Sequence, residues 1–166
     1  DDMGNFSFCS KLFEAPYAEL TANGYFFNEV EGELSSGTLS LRALVDLSDK
    51  TTVNVNVLTH LKYQRVQKLV EGGMSFKEAN TQAQKELFTA FGLQKYEDKD
   101  ASSFSIIGGT DESAALIAIS SLVIVDRSEA ALTEYLAKLC KEFGDNGAFT
   151  ESTRQQMKED RNALAG

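Results

Sequence analysis

The chain has 166 residues, 42% apolar and 25% charged, with a net charge of −9 from 25 acidic and 16 basic residues. A chain of this length buries enough surface to fold as one domain without a metal or disulfide staple. The acidic balance argues against nucleic acid and anionic membrane as partners, because binding either needs Lys and Arg to displace counterions; the only basic grouping is Lys62, Arg65 and Lys68.

The sequence starts at Asp1, which reads as a processed or truncated end with any signal peptide already removed. Cys9, in "NFSFCSK", lacks the small-residue approach of a lipid-attachment site. Cys9 and Cys140 either close a long disulfide or stand as free thiols with Cys140 in the core, and the second reading is favoured. Two cysteines and the single His60 do not make a structural zinc site.

Turn residues punctuate the stretch from Tyr17 to Asp49: Asn23-Gly24, Gly32 and Ser35-Ser36-Gly37. An Asn-Gly pair between extended runs is a strong short-range hairpin signal. Strands are predicted over 17–22, 25–31 and 38–46, with a short one over 51–55. Leu39, Leu41, Ala43 and Val45 alternate onto one face, and Leu44 breaks the pattern on the other.

From residue 56 the period becomes helical, with Asn56 as N-cap. His60, Gln64, Gln67 and Glu71 form a polar ridge opposite Leu58, Leu61, Val66 and Leu69, so His60 reads as a solvated side chain. Lys62 and Arg65 interrupt the apolar side; either their stems snorkel or one of them pairs with Asp46. Gly72-Gly73 closes this helix, and "SFKE" at 75–78 is a capping box for the next, which carries Phe76, Ala79, Ala83, Leu87 and Ala90 and ends at Gly92. A long loop follows over 94–110. The helix over 111–125 is apolar all round and is expected at the centre of the bundle. Its longest apolar run, "AALIAISSLVIV", has twelve residues, short of the roughly 20 that span a bilayer. A fourth helix over 129–143 is stopped by "GDNG", and a polar fifth, capped by Thr150, runs to about 164 and packs by one edge.

The predicted fold is α+β: a small antiparallel N-terminal sheet of three or four strands over 1–55, then a bundle of about five α-helices over 56–166, joined in one compact unit.

Few residues point to chemistry. Only one histidine is available as a base, and no G-x-S-x-G elbow is present. Gly108-Gly109 lacks the Lys-Ser/Thr of a phosphate loop, and Asp111 and Glu112 suit the helix dipole instead. "DKDASSFSIIGG" resembles the start of a calcium loop, with candidate ligands Asp98, Asp100 and Ser102. The sixth position is Ser103 rather than Gly and the twelfth is Gly109 rather than Glu, so the choice lies between a weak irregular cation site and a plain solvated loop. Glu29, Glu31 and Glu33 share one face. Tyr25, Phe26 and Phe27 are consecutive, so at least one ring points away from the core unless both faces of the sheet are covered. Exposed rings of this kind bind sugars or partner proteins. No catalytic residue and no cofactor is assigned.

The segments "GYFFNEV", "LRALVDLSD", "VNVNVLTHL", "GMSFKEA" and "FGL", within about residues 24–93, resemble parts of secreted lipoproteins of Gram-negative gut anaerobes. A looser pattern, Asn-x-Leu-Thr-x-Leu, Gly-x-Ser-x-x-Glu-Ala and Phe-Gly-Leu, is similar to helical segments that follow immunoglobulin-like modules in bacterial surface proteins. The resemblance implies export and tethering at the cell envelope, by a lipid anchor upstream of residue 1, and it carries no catalytic residue. The expected function is a non-enzymatic envelope module that binds a partner protein or glycan, or spaces another domain. A carboxylate-based hydrolase is the alternative.

Overall fold

The computed structural model describes residues 5–7, 16–48 and 50–166; the expectations placed on Asp1 and Cys9 lie outside them. The order is β1 (Tyr17–Asn28), β2 (Glu33–Asp46), α1 (Val57–Glu71), α2 (Phe76–Ala90), two short 3-10 turns at Gln94–Tyr96 and Ala101–Ser103, α3 (Asp111–Ile124), α4 (Glu129–Asn146) and α5 (Glu151–Ala165). The α+β class and the five helices stand as expected.

The sheet does not have three or four strands. Among the described residues it is one long antiparallel hairpin of two. Asn23-Gly24 makes no turn; both residues sit mid-strand, opposite Ser40 and Leu39. The chain reverses after Asn28 instead, where Gly32 takes a left-handed φ of 74°. Asn28 Oδ1 accepts from the Val30 and Glu31 amides, so one side chain satisfies two donors of the turn. The long register also places Ala18, Leu20, Ala22 and Gly24 beside Val45, Ala43, Leu41 and Leu39 on a single inner face. The predicted strand at 51–55 is not one. Its segment is tied instead to the second 3-10 turn, by Asn54 N–H donating to Ser102 O.

The bundle centres on α1, not on the apolar α3. Helix α1 buries Leu58, Leu61, Tyr63 and Val66 and packs against α2, α4 and β2. Helix α3 buries Leu116, Ile119, Val123 and Ile124 but leaves Ile117 at the surface with Ala114 and Ala118. Its exposed positions carry Ala114 and Ala118 beside Ile117, small residues that cost little when wet, so the missing polar stripe does not require a central place.

Helix α4 continues three residues past the predicted stop. Gly144 is helical, and a Cβ there would lie 2.8 Å from Gln64 Cβ of α1. This glycine serves close helix approach; the stop is Gly147, at φ 66°. The predicted caps at Asn56, Ser75 and Thr150 are all present, each side chain accepting an amide of its own first turn. Phe26, Leu39 and Leu41 of the hairpin pack on the same core cluster as Leu58, Phe88, Leu139 and Phe143, so strands and helices share one interior.

Candidate functional site

The two long strands are held at three places, and what they leave uncovered defines the candidate site. At the base, the outer face is covered: Phe76 of α2 stacks on Tyr17 with ring centroids 4.3 Å apart, and Leu44 packs toward Val66. Along the free edge of β2, the Arg42 amide donates to His60 Nδ1 at 3.0 Å. His60 is therefore not on a wet ridge. Burial, with the neighbouring Arg42 charge, brings its imidazole down to about 4, and it acts as an acceptor that covers a strand edge.

The third hold is near the tip. The register shifts between Tyr25 and Phe27, so that Ser35, Ser36 and Gly37 oppose the single residue Phe26. Extending the register of the base would set Phe27 against Ser36; the bulge sets it against Leu34 instead. Ser35 Oγ accepts from the Phe26 amide and donates to Gly37 O. The Ser36 amide and hydroxyl and the Gly37 amide all donate to Glu129 Oε1, at the first turn of α4. These bonds, led by the Ser36 hydroxyl and joined by the amide of Glu129 itself, hold its carboxyl down to about 2.

Beyond that hold, Phe26 turns inward onto the core while Tyr25 and Phe27 face outward, 63% and 51% exposed. Leu34 across from Phe27 is 64% exposed, and Val30 in the turn is 42% exposed. Four large apolar side chains thus sit together at the tip. Glu29, Glu31 and Glu33 alternate through the turn beside them, Glu31 accepting from Asn28 Nδ2, and from Tyr25 to Leu41 the sequence contains no cation. Glu29 Oε2 is out of solvent without a hydrogen-bond partner among the described residues. Of the three candidate aromatics Tyr25, Phe26 and Phe27, the first and last lie on the outer face of the tip, while Phe26 packs on the core. Sequence reasoning missed Leu34, whose place depends on the bulge, and Glu129, which lies 93 residues from its Ser36 partner.

The calcium candidates sit apart from the tip. Asp100 Oδ2 is taken by Lys50 Nζ, and Asp100 Oδ1 accepts the Ser102 amide. Burial pushes the Asp100 carboxyl upward, but the Lys62 charge and the bonds from Lys50 and Ser102 hold it down to about 2. The cation in this loop is the chain's own lysine. Ser102 is buried and Asp98 lines an open groove with Asn80 and Glu97. No cluster of three or more acidic, His or Cys side chains poised for a metal occurs among the described residues.

Lys62 neither snorkels nor pairs with Asp46. It is buried, 3.4 Å from Gln84 Oε1, and burial brings its ammonium down to about 8 against the opposing pull of Asp100. Arg65 pairs with Glu86 through both Nε and Nη2. Cys140 is a free, buried thiol that donates to His60 O, and burial pushes its ionisation up to about 12.

A groove of about 620 Å³ lies between the α3–α4 connection and α5. Within it Arg127 Nη2 pairs with Asp160 Oδ2 at 2.7 Å, both side chains buried, and the guanidinium lies 3.8 Å from the Tyr135 ring centre. Arg127 also donates to Val123 O and Val125 O, and Gln156 donates to Asp160 Oδ1. These bonds engage Arg127 and Asp160 in closing α3 and fixing α5, a structural role. The exposed hairpin tip is the candidate site.

Compared with known proteins, the chain matches no family model, no curated protein and no solved structure.

Proposed function

We propose that this chain is a non-enzymatic module of the cell envelope that binds a macromolecular partner, a protein or a glycan, through the hairpin tip at Tyr25, Phe27 and Leu34. The observation that carries the reading is the grouping of large apolar side chains, each more than two-fifths exposed, on a hairpin that is braced at its base, edge and bulge. Contiguous apolar patches of this kind mark interaction surfaces on water-soluble proteins. Export and tethering by a lipid anchor upstream of residue 1 belong to the same proposal and rest on the resemblance to secreted lipoproteins.

The carboxylate-hydrolase alternative has less support. Such an enzyme holds one carboxyl group above its ordinary range as a general acid, opposite a second one that stays ionised. Among the described residues, every carboxyl group with a displaced ionisation is displaced downward: Asp46, Glu78, Asp100, Glu112, Glu129, Glu142, Asp145 and Glu151.

Thermal unfolding of the purified chain against calcium, host and plant glycans and peptidoglycan fragments tests the proposal. A ligand at 100 times its Kd adds about 2.7 kcal/mol, and each kcal/mol moves the midpoint of a domain this size by about 2 to 4 °C. A shift with one glycan class that disappears in Tyr25→Thr/Phe27→Thr supports a glycan-binding tip. A shift with calcium, lost in Asp98→Asn/Asp100→Asn, moves the site to the 98–102 loop and contradicts the proposal.

A further inference from the structure

We infer that the partner of the hairpin tip is a protein presenting an apolar groove rimmed by Lys and Arg side chains. This rests on the binding reading above and names its chemistry.

Three features select that partner. The first is charge: Glu29, Glu31 and Glu33 stand at the tip with no cation between Tyr25 and Leu41. Complementary charge steers encounter and fixes orientation at an interface, while like charges placed face to face cost several kcal/mol. An anionic membrane and a second copy of the same tip are both disfavoured on that ground, since a two-fold contact would set each carboxylate cluster against itself.

The second feature is the lining. Sugar binding uses a ring face flanked by side chains that hydrogen-bond the hydroxyls. Here Phe27 faces Leu34, with Val30 in the turn, so the centre of the tip is apolar, and the polar groups, Thr38 opposite Tyr25 and the three glutamates, lie at its margin. An aromatic–aliphatic cluster of this composition matches the centre of a protein interface, with the acidic residues as its rim.

The third is Glu29 Oε2, withdrawn from solvent and without a donor among the described residues. Acceptors in that condition are costly to leave unmade. With the Glu29 side chain turned outward, a Lys or Arg from the partner would supply the missing bond, charge-assisted.

The experiment uses the whole chain and three synthetic amphipathic peptides with one leucine face and a second face of Lys, Glu or Gln. Fluorescence anisotropy follows binding at about 0.02 M and about 0.3 M salt, where exposed charges are screened over distances shorter than the tip. The Lys peptide is expected to bind, and to bind more weakly at the higher salt. Tyr25→Thr/Phe27→Thr is expected to weaken it by at least about tenfold, as loss of an aromatic anchor does. The variant Glu29→Gln/Glu31→Gln/Glu33→Gln keeps the side-chain shape and should flatten the salt dependence.

The failures are distinguishable. If the Lys and Gln peptides bind equally and both lose binding in the aromatic variant, the tip binds but the basic-partner inference is overturned. If the Lys peptide binds the aromatic variant as well as the wild type, the site lies elsewhere and the binding reading itself falls. No binding of the Lys peptide, beside a glycan-induced shift that depends on Tyr25 and Phe27, overturns the inference in favour of a glycan.

Discussion

His60 Nδ1 can accept the Arg42 amide only while that nitrogen carries no proton. The groups around it are Arg42 on β2, whose charge disfavours imidazolium, and Cys140 on α4, which donates to the His60 carbonyl. With a folded value of about 4 against 6.5 in the unfolded chain, the unfolded chain takes up the proton first as pH falls. The stability held above pH 6.5 is therefore lost on acidification toward pH 4. Between pH 7 and pH 5 the loss amounts to about 2 kcal/mol. Urea unfolding across that range should show it, and His60→Asn, which keeps an acceptor without a titrating ring, should remove most of the slope. Lys62 follows the same sign in a higher pH window. Its ammonium is buried with a folded value of about 8 against 10.5, so stability rises as pH climbs between those values. Lys62→Met should stabilise the fold by about 1 to 3 kcal/mol at pH 7, with an advantage that shrinks toward pH 10. Neither residue was legible from helical periodicity, which placed His60 in water and offered Lys62 a surface or an ion pair. A strand edge against α1, formed from residues 18 positions away, decides the first. The α1–α2 contact at Gln84 decides the second.

At the scale of elements, the caps were readable because each motif is local: Asn56 with Thr59, Ser75 with Glu78, Thr150 with Thr153. Hairpin length, the bulge and the end of α4 were not, because each depends on a remote partner. Gly144 illustrates this. In an isolated helix Gly144→Ala would be stabilising by roughly 1 kcal/mol. Here the added methyl meets Gln64 Cβ, so the variant is expected to lose about 1 to 3 kcal/mol on urea unfolding. The loop over 94–110 is also more constrained than its composition implied. Phe104 is buried against Phe88 and Tyr96, at 5.8 and 5.6 Å between ring centres, and Asn56 Nδ2 donates to Phe104 O. Phe104→Ala should cost about 3 to 5 kcal/mol and speed hydrogen exchange at the Ser102 and Ser103 amides. The brace between α4 and the bulge makes a separate prediction: Glu129→Ala should raise exchange at the Ser36 and Gly37 amides while leaving those of α1 unchanged.

For the molecule as a whole, the α+β class and the five helices followed from hydrophobic period and turn chemistry. Asn23-Gly24 taken alone signals a turn, but the inner-face pairing carries β1 past it, so two predicted strands are one. The aromatic triplet was visible in sequence as a geometric surplus: three consecutive rings cannot all reach one side of a strand. Which rings stay outside, and that Leu34 joins them, required the bulge register. Exposed as they are, Tyr25 and Phe27 are expected to contribute little to folding, as the proposed contact role requires. Equilibrium urea unfolding of Tyr25→Thr/Phe27→Thr, beside the wild type, tests that claim most directly, since threonine keeps the strand preference. The account predicts a loss of no more than about 1.5 kcal/mol, the size of cross-strand pair terms. A loss of about 3 kcal/mol or more, as for a buried aromatic, would make these rings part of the structural core and contradict it.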